Sequence, residues 1–432
     1  MSAAFFWLAA STGLLSLLTP CVFPMVPVTI AYFSTPNRAD SRGLQRAFLF
    51  ALGIIGTFTV LGLALAAIFG AAGLNRLAAN PWVNLLLAAL FVAFAANLFG
   101  WFEIGLPWRV STAADRAVRG ATPGSSLGAL LMGAAFTLTS VTCTAPFVGT
   151  LLVLASQGSW TTPIAGMLVY SAAFALPFFI LAAAPGLVSH LPGAGEWMKT
   201  LRVLIGLLEL GAAIKFVSNA DLVLGWGIFT RNVLLIAWSA LAIAGAAYLG
   251  RNARARIQRR DLGWETVAGI ATALLIAAWL ASGLNEQHRL RQIEAFLPPV
   301  TPATALSSSG GAAPTWVLND YDGALSSARA TQKLVFVDFT GYTCTNCRWM
   351  EANIFTRPDV SAELGQFVLA RLYTDGEGEI YERQQAFQEK TFGTVALPLY
   401  AVVDADGNVR GTFSGLTRSP SDFIAFLRRA RS

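Results

Sequence analysis

The chain has 432 residues, of which 55% are hydrophobic and 12% are charged, and its mean hydropathy is +0.57. Soluble proteins carry about 25% charged residues, so this composition excludes an ordinary soluble protein and predicts a polytopic protein embedded in membrane lipid. The net charge of +6 comes largely from arginines between apolar segments, which favours orientation in a bilayer over binding of nucleic acid.

The first apolar segment carries a cysteine between prolines. In residues 16–32, SLLTPCVFPMVPVTIAY, Cys21 lies between Pro20 and Pro24. Proline inside a membrane helix frees carbonyl groups, which hydrocarbon does not tolerate unless protein or water satisfies them. We therefore predict that Cys21 lies at a helix break and faces a protein-lined or wet cavity.

A second apolar segment repeats this motif. Residues 140–148, SVTCTAPFV, place Cys143 and Pro146 at an offset of 122 residues from Cys21 and Pro24. One Cys-x-x-Pro arises easily by chance, whereas two at a single offset, each opening a block of three apolar segments, indicate an internal repeat. The alternative is that both cysteines are small core residues and the prolines are simple kinks.

Eight apolar segments are long enough to span a bilayer. They cover approximately residues 4–33, 46–70, 82–102, 125–156, 163–186, 198–218, 226–249 and 264–283. Lysine and arginine are concentrated in the loops after the first, third, fifth and seventh segments, which the positive-inside rule places in the cytoplasm, with both chain ends outside. Because each block has three crossings, the second enters upside down, which predicts an inverted 3+3 repeat plus two spans, with both cysteines in one site reachable from either side.

The composition changes after the last span. We predict a membrane domain at residues 1–285, a linker rich in Pro, Ser, Gly and Ala at 286–315, and a soluble α/β domain at 316–432. In the soluble part, a buried strand at 334–339 precedes a Cys-x-x-Cys at the start of a helix that ends before Pro358. A strand at 367–373, a helix at 379–392, a hairpin of strands 399–403 and 409–413, and a helix at 421–431 complete a thioredoxin-like pattern.

Cys344 and Cys347 form the Cys-x-x-Cys of this domain. A helix N-terminus lowers the pKa of a thiol, so Cys344 is the predicted nucleophile and Cys347 the resolving thiol. Haem attachment would require a histidine after the second cysteine, where Arg348 stands. A zinc site would require a second ligand pair, and the domain has no further Cys and no His.

Three other residues are candidates for this site. Pro398 precedes a strand, where thioredoxin-like domains place a cis-proline beside the cysteines; the alternative is a plain strand-start proline. Asp338 and Glu351 flank the Cys-x-x-Cys, and a buried carboxylate there would raise the pKa of the thiol and exchange protons with it. Each acid considered alone is more typical of an ordinary surface or capping residue.

Together, PCVFP, TCTAP, eight apolar segments and FVDFTGYTCTNCRWME resemble the thiol:disulfide interchange protein DsbD family, with a membrane part similar to CcdA-type proteins. The resemblance implies a bacterial inner-membrane protein-disulfide reductase with no bound cofactor and with its thioredoxin-like domain in the periplasm. Electrons would pass from NADPH through cytoplasmic thioredoxin to Cys21 and Cys143, then to Cys344 and Cys347. The family's acid positions match Asp338 and Glu351.

The resemblance implies periplasmic partners of the disulfide isomerase or cytochrome c maturation type. The sequence lacks the family's N-terminal immunoglobulin-like domain with its own cysteine pair, so Cys344 and Cys347 would reduce targets directly or through a separate protein. Two other functions remain open. One is a small-molecule transporter with a fused redox domain, with Glu209 and Lys215 as substrate groups. The other is a thioredoxin that the spans merely anchor.

Overall fold

The computed structural model describes residues 3–18, 42–101, 128–137, 161–183, 196–258, 264–285, 290, 293–298 and 315–432. Its contacts divide the chain into two compact units, residues 1–74 with 91–209 and residues 75–90 with 210–432. The predicted helix breaks at Cys21 and Cys143, with Pro20, Pro24 and Pro146, lie outside the described residues.

Eight helices precede residue 290 within the described ranges. They are α1 (Ala3–Leu15, followed by a 3-10 turn at Ser16–Leu18), α2 (Arg42–Ala79), α3 (Pro81–Leu98), α4 (Gly128–Thr137), α5 (Thr161–Ala183), α6 (Glu196–Leu224), α7 (Arg231–Gln258) and α8 (Trp264–Ser282). Four of their segments are long and apolar enough to cross a bilayer, namely Gln45–Ala64, Pro81–Leu98, Arg231–Ala253 and Trp264–Ser282. The chain is therefore a membrane protein, as predicted.

The first unit is held together by close helix crossings at glycines. A Cβ on Gly53 of α2 would collide with the carbonyl oxygen of Leu130 in α4, and one on Gly133 of α4 would collide with that of Phe50 in α2. Small residues allow such backbone approach, which replaces the hydrophobic effect as a source of packing energy in lipid. Gly13 of α1 allows an equally close approach to the backbone of α5.

An aromatic core fills the space between these four helices. Phe58 of α2 packs edge-on against Tyr170 and Phe174 of α5, and Phe136 of α4 packs against Phe178. Where α1 ends, the Ser16 hydroxyl lies 2.8 Å from the Tyr170 hydroxyl in a buried hydrogen bond. The structure thus anchors α1 directly before the segment that contains Cys21.

The membrane helices of the second unit form a separate apolar cluster. Helices α7 and α8 pack together, and Leu290 and Leu297 lie against Leu234, Leu235 and Leu280. Between these two leucines, Glu294–Phe296 forms a 3-10 turn. Part of the predicted linker therefore packs against the helices, while residues 299–314 lie outside the described ranges.

The soluble domain is a mixed five-stranded sheet covered by helices. Its elements are β1 (Trp316–Leu318), α9 (Tyr321–Thr331), β2 (Val335–Thr340), α10 (Thr345–Met350, continued by a π-helical turn at Glu351–Phe355), α11 (Pro358–Leu364), β3 (Val368–Tyr373), α12 (Glu379–Phe392), β4 (Leu399–Val403), β5 (Val409–Ser414) and α13 (Pro420–Arg431). The strand order is β1-β3-β2-β4-β5, parallel from β1 to β2 and antiparallel beyond.

The central strand β2, VFVDFT, is buried along its whole length, as a continuous apolar run predicts. Phe336 and its neighbours face a core under α10, α11 and α13, while Val337 and Phe339 face a second core under α9 and α12. These two apolar layers give the domain a hydrophobic core of its own.

The predicted strands and helices of the thioredoxin-like pattern are confirmed. Strand β1 and helices α9 and α11 were not predicted. Strand β1 has only three residues, α9 is a weakly apolar surface helix, and Pro358 was interpreted only as the end of the preceding helix. Pro358 stands three residues beyond the turn that ends at Phe355 and occupies the first position of α11, where its missing N–H costs nothing.

Candidate redox site

A disulfide joins Cys344 to Cys347 at the start of α10, with the two Cα atoms 5.3 Å apart. Cys344 is the N-cap residue, and its sulfur accepts a hydrogen bond of 3.2 Å from the backbone N–H of Cys347. Cys344 is partly exposed, whereas Cys347 is fully buried. This asymmetry fits the predicted roles, because an incoming sulfur can approach Cys344 but not Cys347.

Asp338 is fully buried under the active-site helix. Its Oδ2 accepts a hydrogen bond of 2.9 Å from Nε of Arg371, while Oδ1 has no hydrogen-bond partner among the described residues. Burial raises the pKa of this carboxyl from 3.8 to about 6; Arg371 and Arg348 act against the increase, and Glu351 adds to it. Asp338 is therefore a buried acid that titrates close to neutral pH.

Glu351 lies in the same charge cluster, at the start of the π-helical turn. Its Oε1 accepts a hydrogen bond of 2.7 Å from Arg348, and its Oε2 lies 3.7 Å from Arg371. Arg348 also donates to the hydroxyl of Thr340 at 3.0 Å. The structure thus brings Asp338 and Glu351 together through Arg371, and two arginines balance the charges of two acids.

A third acid, Asp375, holds the loop that leads into Cys344. It accepts hydrogen bonds from the backbone N–H groups of Tyr342 at 2.7 Å and Thr343 at 3.0 Å, and a third of 3.0 Å from the Thr343 hydroxyl. A Cβ on Gly341 would lie 2.5 Å from Asp375 Oδ2, so only glycine fits beside the carboxylate. Asp375 therefore fixes the backbone just before Cys344.

Sequence reasoning missed Asp375, Arg348 and Arg371 as parts of this site. The signal for Asp375 was its position after the end of β3, because the carboxyl ends of the parallel strands β2 and β3 meet at one edge of the sheet. Arg371 could have been found from its charge, because it stands inside an otherwise apolar strand. Arg348 entered the sequence analysis only because it occupies the position at which haem attachment would require a histidine.

Pro398 lies at the same edge of the sheet. Phe339 pairs with Leu399, which puts Pro398 next to the end of β2, from which the Cys344 loop departs. The Leu397–Pro398 peptide bond is cis, and the Pro398 carbonyl accepts a hydrogen bond of 2.8 Å from the N–H of Gly415.

Glu209 and Lys215 lie on α6. Glu209 is completely buried, and neither of its carboxyl oxygens has a hydrogen-bond partner among the described residues. In the part of the chain that the structure describes, no group of three or more His, Cys, Asp or Glu side chains is placed to hold a metal ion.

Comparison with known proteins identifies the membrane part. Residues 2–220 match the family described as the cytochrome C biogenesis protein transmembrane domain, and residues 316–405 match a thioredoxin-like family. The chain belongs to the DsbD family. The resemblance deduced from the cysteine motifs is thereby confirmed.

Three curated relatives from the DsbD family cover most of this chain. Thiol:disulfide interchange protein DsbD 1 of Pseudomonas aeruginosa PAO1 is 28% identical over 93% of the chain and 65% of the relative. DsbD of Pseudomonas fluorescens Pf-5 is 30% identical over 83% and 60%, and DsbD of Vibrio vulnificus YJ016 is 30% identical over 93% and 62%. The chain thus spans somewhat less than two thirds of the length of these DsbD proteins.

Proposed function

We propose that the protein is a transmembrane protein-disulfide reductase that carries two electrons from cytoplasmic thioredoxin to periplasmic disulfides. The observation that carries this proposal is the Cys344–Cys347 disulfide at a helix start in a thioredoxin-like domain, attached to a DsbD-type membrane part that supplies two further cysteines. The relatives' name, thiol:disulfide interchange protein, supports the same reaction.

The relay consists of two balanced thiol-disulfide exchanges. Reduced thioredoxin gives two electrons and two protons to the Cys21–Cys143 disulfide and is itself oxidised to a disulfide. One membrane thiolate then attacks the Cys344–Cys347 disulfide, forming a mixed disulfide and releasing the other sulfur as a thiolate. The second membrane thiolate resolves this bond, which re-forms Cys21–Cys143 and leaves Cys344 and Cys347 reduced.

Reciprocal packing supports an inverted repeat in the membrane part. In the predicted repeat, the first span corresponds to the fourth and the second to the fifth. Helix α1, in the first span, meets α5 at Gly13, whereas α4, in the fourth, meets α2 at Gly53 and Gly133. An exchange of the two halves converts one contact into the other, as a two-fold axis in the membrane plane requires.

The final acceptor is a periplasmic thiol-disulfide protein, of the isomerase or cytochrome c maturation type. The family's description as a cytochrome C biogenesis domain supports the second type. A disulfide partner needs access to one sulfur only, and the partial exposure of Cys344 provides it. NADPH is the ultimate electron source, through thioredoxin.

The deciding experiment measures the redox state of Cys344 and Cys347 in cells by thiol trapping. Replacement of Cys21→Ala or Cys143→Ala is expected to leave this pair oxidised, because Cys21 and Cys143 are the two cysteines of the sequence that lie outside the pair. The replacement Cys344→Ala with Cys347→Ala serves as the blank for the assay. A pair that remains fully reduced in both membrane variants would contradict the relay.

The acceptor is identified with a second variant. Cys347→Ala removes the resolving thiol, so Cys344 is expected to remain in a mixed disulfide with its substrate. Mass spectrometry of the trapped complex names the partner. A transporter built around Glu209 and Lys215 would not need Cys21 or Cys143 to reduce the Cys344–Cys347 pair, and the relatives' name does not favour that alternative.

A further inference from the structure

A buried ion pair fastens the turn at Glu294–Phe296 to the end of the membrane helices. Arg231, the first residue of α7, donates from Nε to Glu294 Oε1 at 2.7 Å and from an NH2 group to Oε2 at 3.1 Å. Its third hydrogen bond, of 2.8 Å, reaches the carbonyl of Gly283, just after α8. Arg231 and Glu294 are 10% and 7% exposed, so solvent screens their attraction only weakly.

This fastened turn contacts the active-site helix α10 of the thioredoxin-like domain. The turn buries Ala295 but leaves the Phe296 side chain 49% exposed, so Phe296 has free surface near the contact. The ion pair holds the start of α7 next to the end of α8, and the turn that it fixes continues to the helix bearing Cys344 and Cys347.

A further contact lies around the same place. Ala79 and Asn80, at the α2–α3 corner, line a cavity of about 330 Å³ together with residues 374–378 and Glu382 of the soluble domain. The α2–α3 corner and the turn after α8 therefore both meet the soluble domain.

We propose that the turn 294–296, fastened by the Arg231–Glu294 pair, is the docking site at which the active-site helix of the same chain receives electrons from the membrane cysteines. This inference rests on the proposed function, because it names the surface used by the second exchange of the relay. The proposal concerns only where α10 binds. The sulfur chemistry is that of the exchange between the membrane thiols and the Cys344–Cys347 disulfide.

The test uses the full chain reconstituted in vesicles with thioredoxin on one side. Glu294→Gln removes the charge of the pair at constant shape, and Phe296→Ala removes exposed surface without disturbing the pair. Both are expected to slow reduction of the Cys344–Cys347 disulfide about tenfold in a single turnover, with the membrane pair reduced by thioredoxin as fast as in the wild type. Glu265→Gln, at the exposed start of α8, is the matched control and keeps the wild-type rate.

A second measurement does not depend on electron transfer. Benzoylphenylalanine incorporated at position 296 is expected to cross-link on illumination to the peptide containing residues 345–350. Wild-type rates in both variants, or a cross-link to another region, would overturn the docking site. If the wild-type chain itself moves no electrons, the relay fails, and the cross-link still decides whether the helix docks there.

Discussion

Arg371 and Asp338 occupy directly paired positions on the parallel strands β3 and β2, and Arg371 donates a hydrogen bond of 2.9 Å to the buried carboxylate. The guanidinium also lies over the Trp316 ring, with 4.1 Å between its central carbon and the ring centroid. The same arginine approaches Glu351, so one side chain links both acids of the redox site. The charge balance of the site therefore depends on a residue outside the cysteine motif.

Loss of this arginine is expected to destabilise the soluble domain strongly. Arg371→Gln leaves Asp338 buried without the charged partner that donates a hydrogen bond to it, which costs about 3–5 kcal/mol for a buried pair. Urea unfolding of residues 315–432, which have their own core, measures the change. Arg428→Gln is the control: this arginine is 64% exposed and pairs with Glu363, so its loss is expected to cost less than about 1 kcal/mol. Equal losses in the two variants would contradict the prediction.

Asp338 is expected to make stability depend on pH. Because burial raises its pKa from 3.8 to about 6, the folded domain binds the proton more tightly than the unfolded chain does. This contribution is fully present below pH 3.8 and is lost as pH rises through 6, amounting to about 3 kcal/mol at about 1.4 kcal/mol per pKa unit.

The comparison with Asp338→Asn isolates this effect, since Arg371, Arg348, Glu351 and Tyr400 remain in both proteins. Relative to the variant, the wild type is expected to lose unfolding free energy as the pH rises from about 4 to 6. Above about pH 6 the difference between the two proteins is expected to stay constant. A difference independent of pH across this range would show that Asp338 keeps an ordinary pKa.

Asp375 is expected to control the reactivity of Cys344 through the loop. Asp375→Ala removes three hydrogen bonds from residues 342–343, which frees the backbone before the N-cap cysteine. Exchange between the reduced domain and a small disulfide at pH 7 is expected to slow roughly tenfold, equivalent to about 1.4 kcal/mol of activation free energy.

Asp404→Ala is the matched control for this variant. Asp404 accepts hydrogen bonds from the backbone of Asp406 and Asn408 and from the Asn408 side chain, in the β4–β5 turn. Its removal is expected to lower stability without altering the exchange rate. Similar rates in the two variants would assign Asp375 a purely structural role.

Gly341 is expected to tolerate no side chain. In Gly341→Ala, the new Cβ would lie 2.5 Å from Asp375 Oδ2, and three hydrogen bonds hold that carboxylate in place. We expect a loss of about 1–3 kcal/mol in thermal unfolding, as for other overpacked sites. Gly365→Ala, whose Cβ would meet its nearest atoms at an ordinary 3.5 Å, should be neutral or slightly stabilising. Equal melting temperatures would refute the clash.

Local pattern in the sequence determined the membrane class, the strand before Cys344, the helix after it, and the hairpin across Asp406 and Gly407. Apolar runs, alternation and turn residues act over a few neighbours, so they can be interpreted without knowledge of the fold. Strand β1 escaped this reasoning because three residues carry no pattern. The two residues between Cys344 and Cys347 allow the disulfide that the structure shows.

Only the tertiary structure decided which charges meet. Arg371 reaches Asp338 because strand register sets them side by side, Asp375 reaches the Cys344 loop because two parallel strands end at one edge, and Arg231 meets Glu294 across 63 positions of sequence. Whether a charged side chain is exposed or buried in an ion pair depends on which distant segment packs against it. Pairing and burial are properties of the packed chain, which explains why the cysteines and the two flanking acids were found from sequence and the residues that pair with them were not.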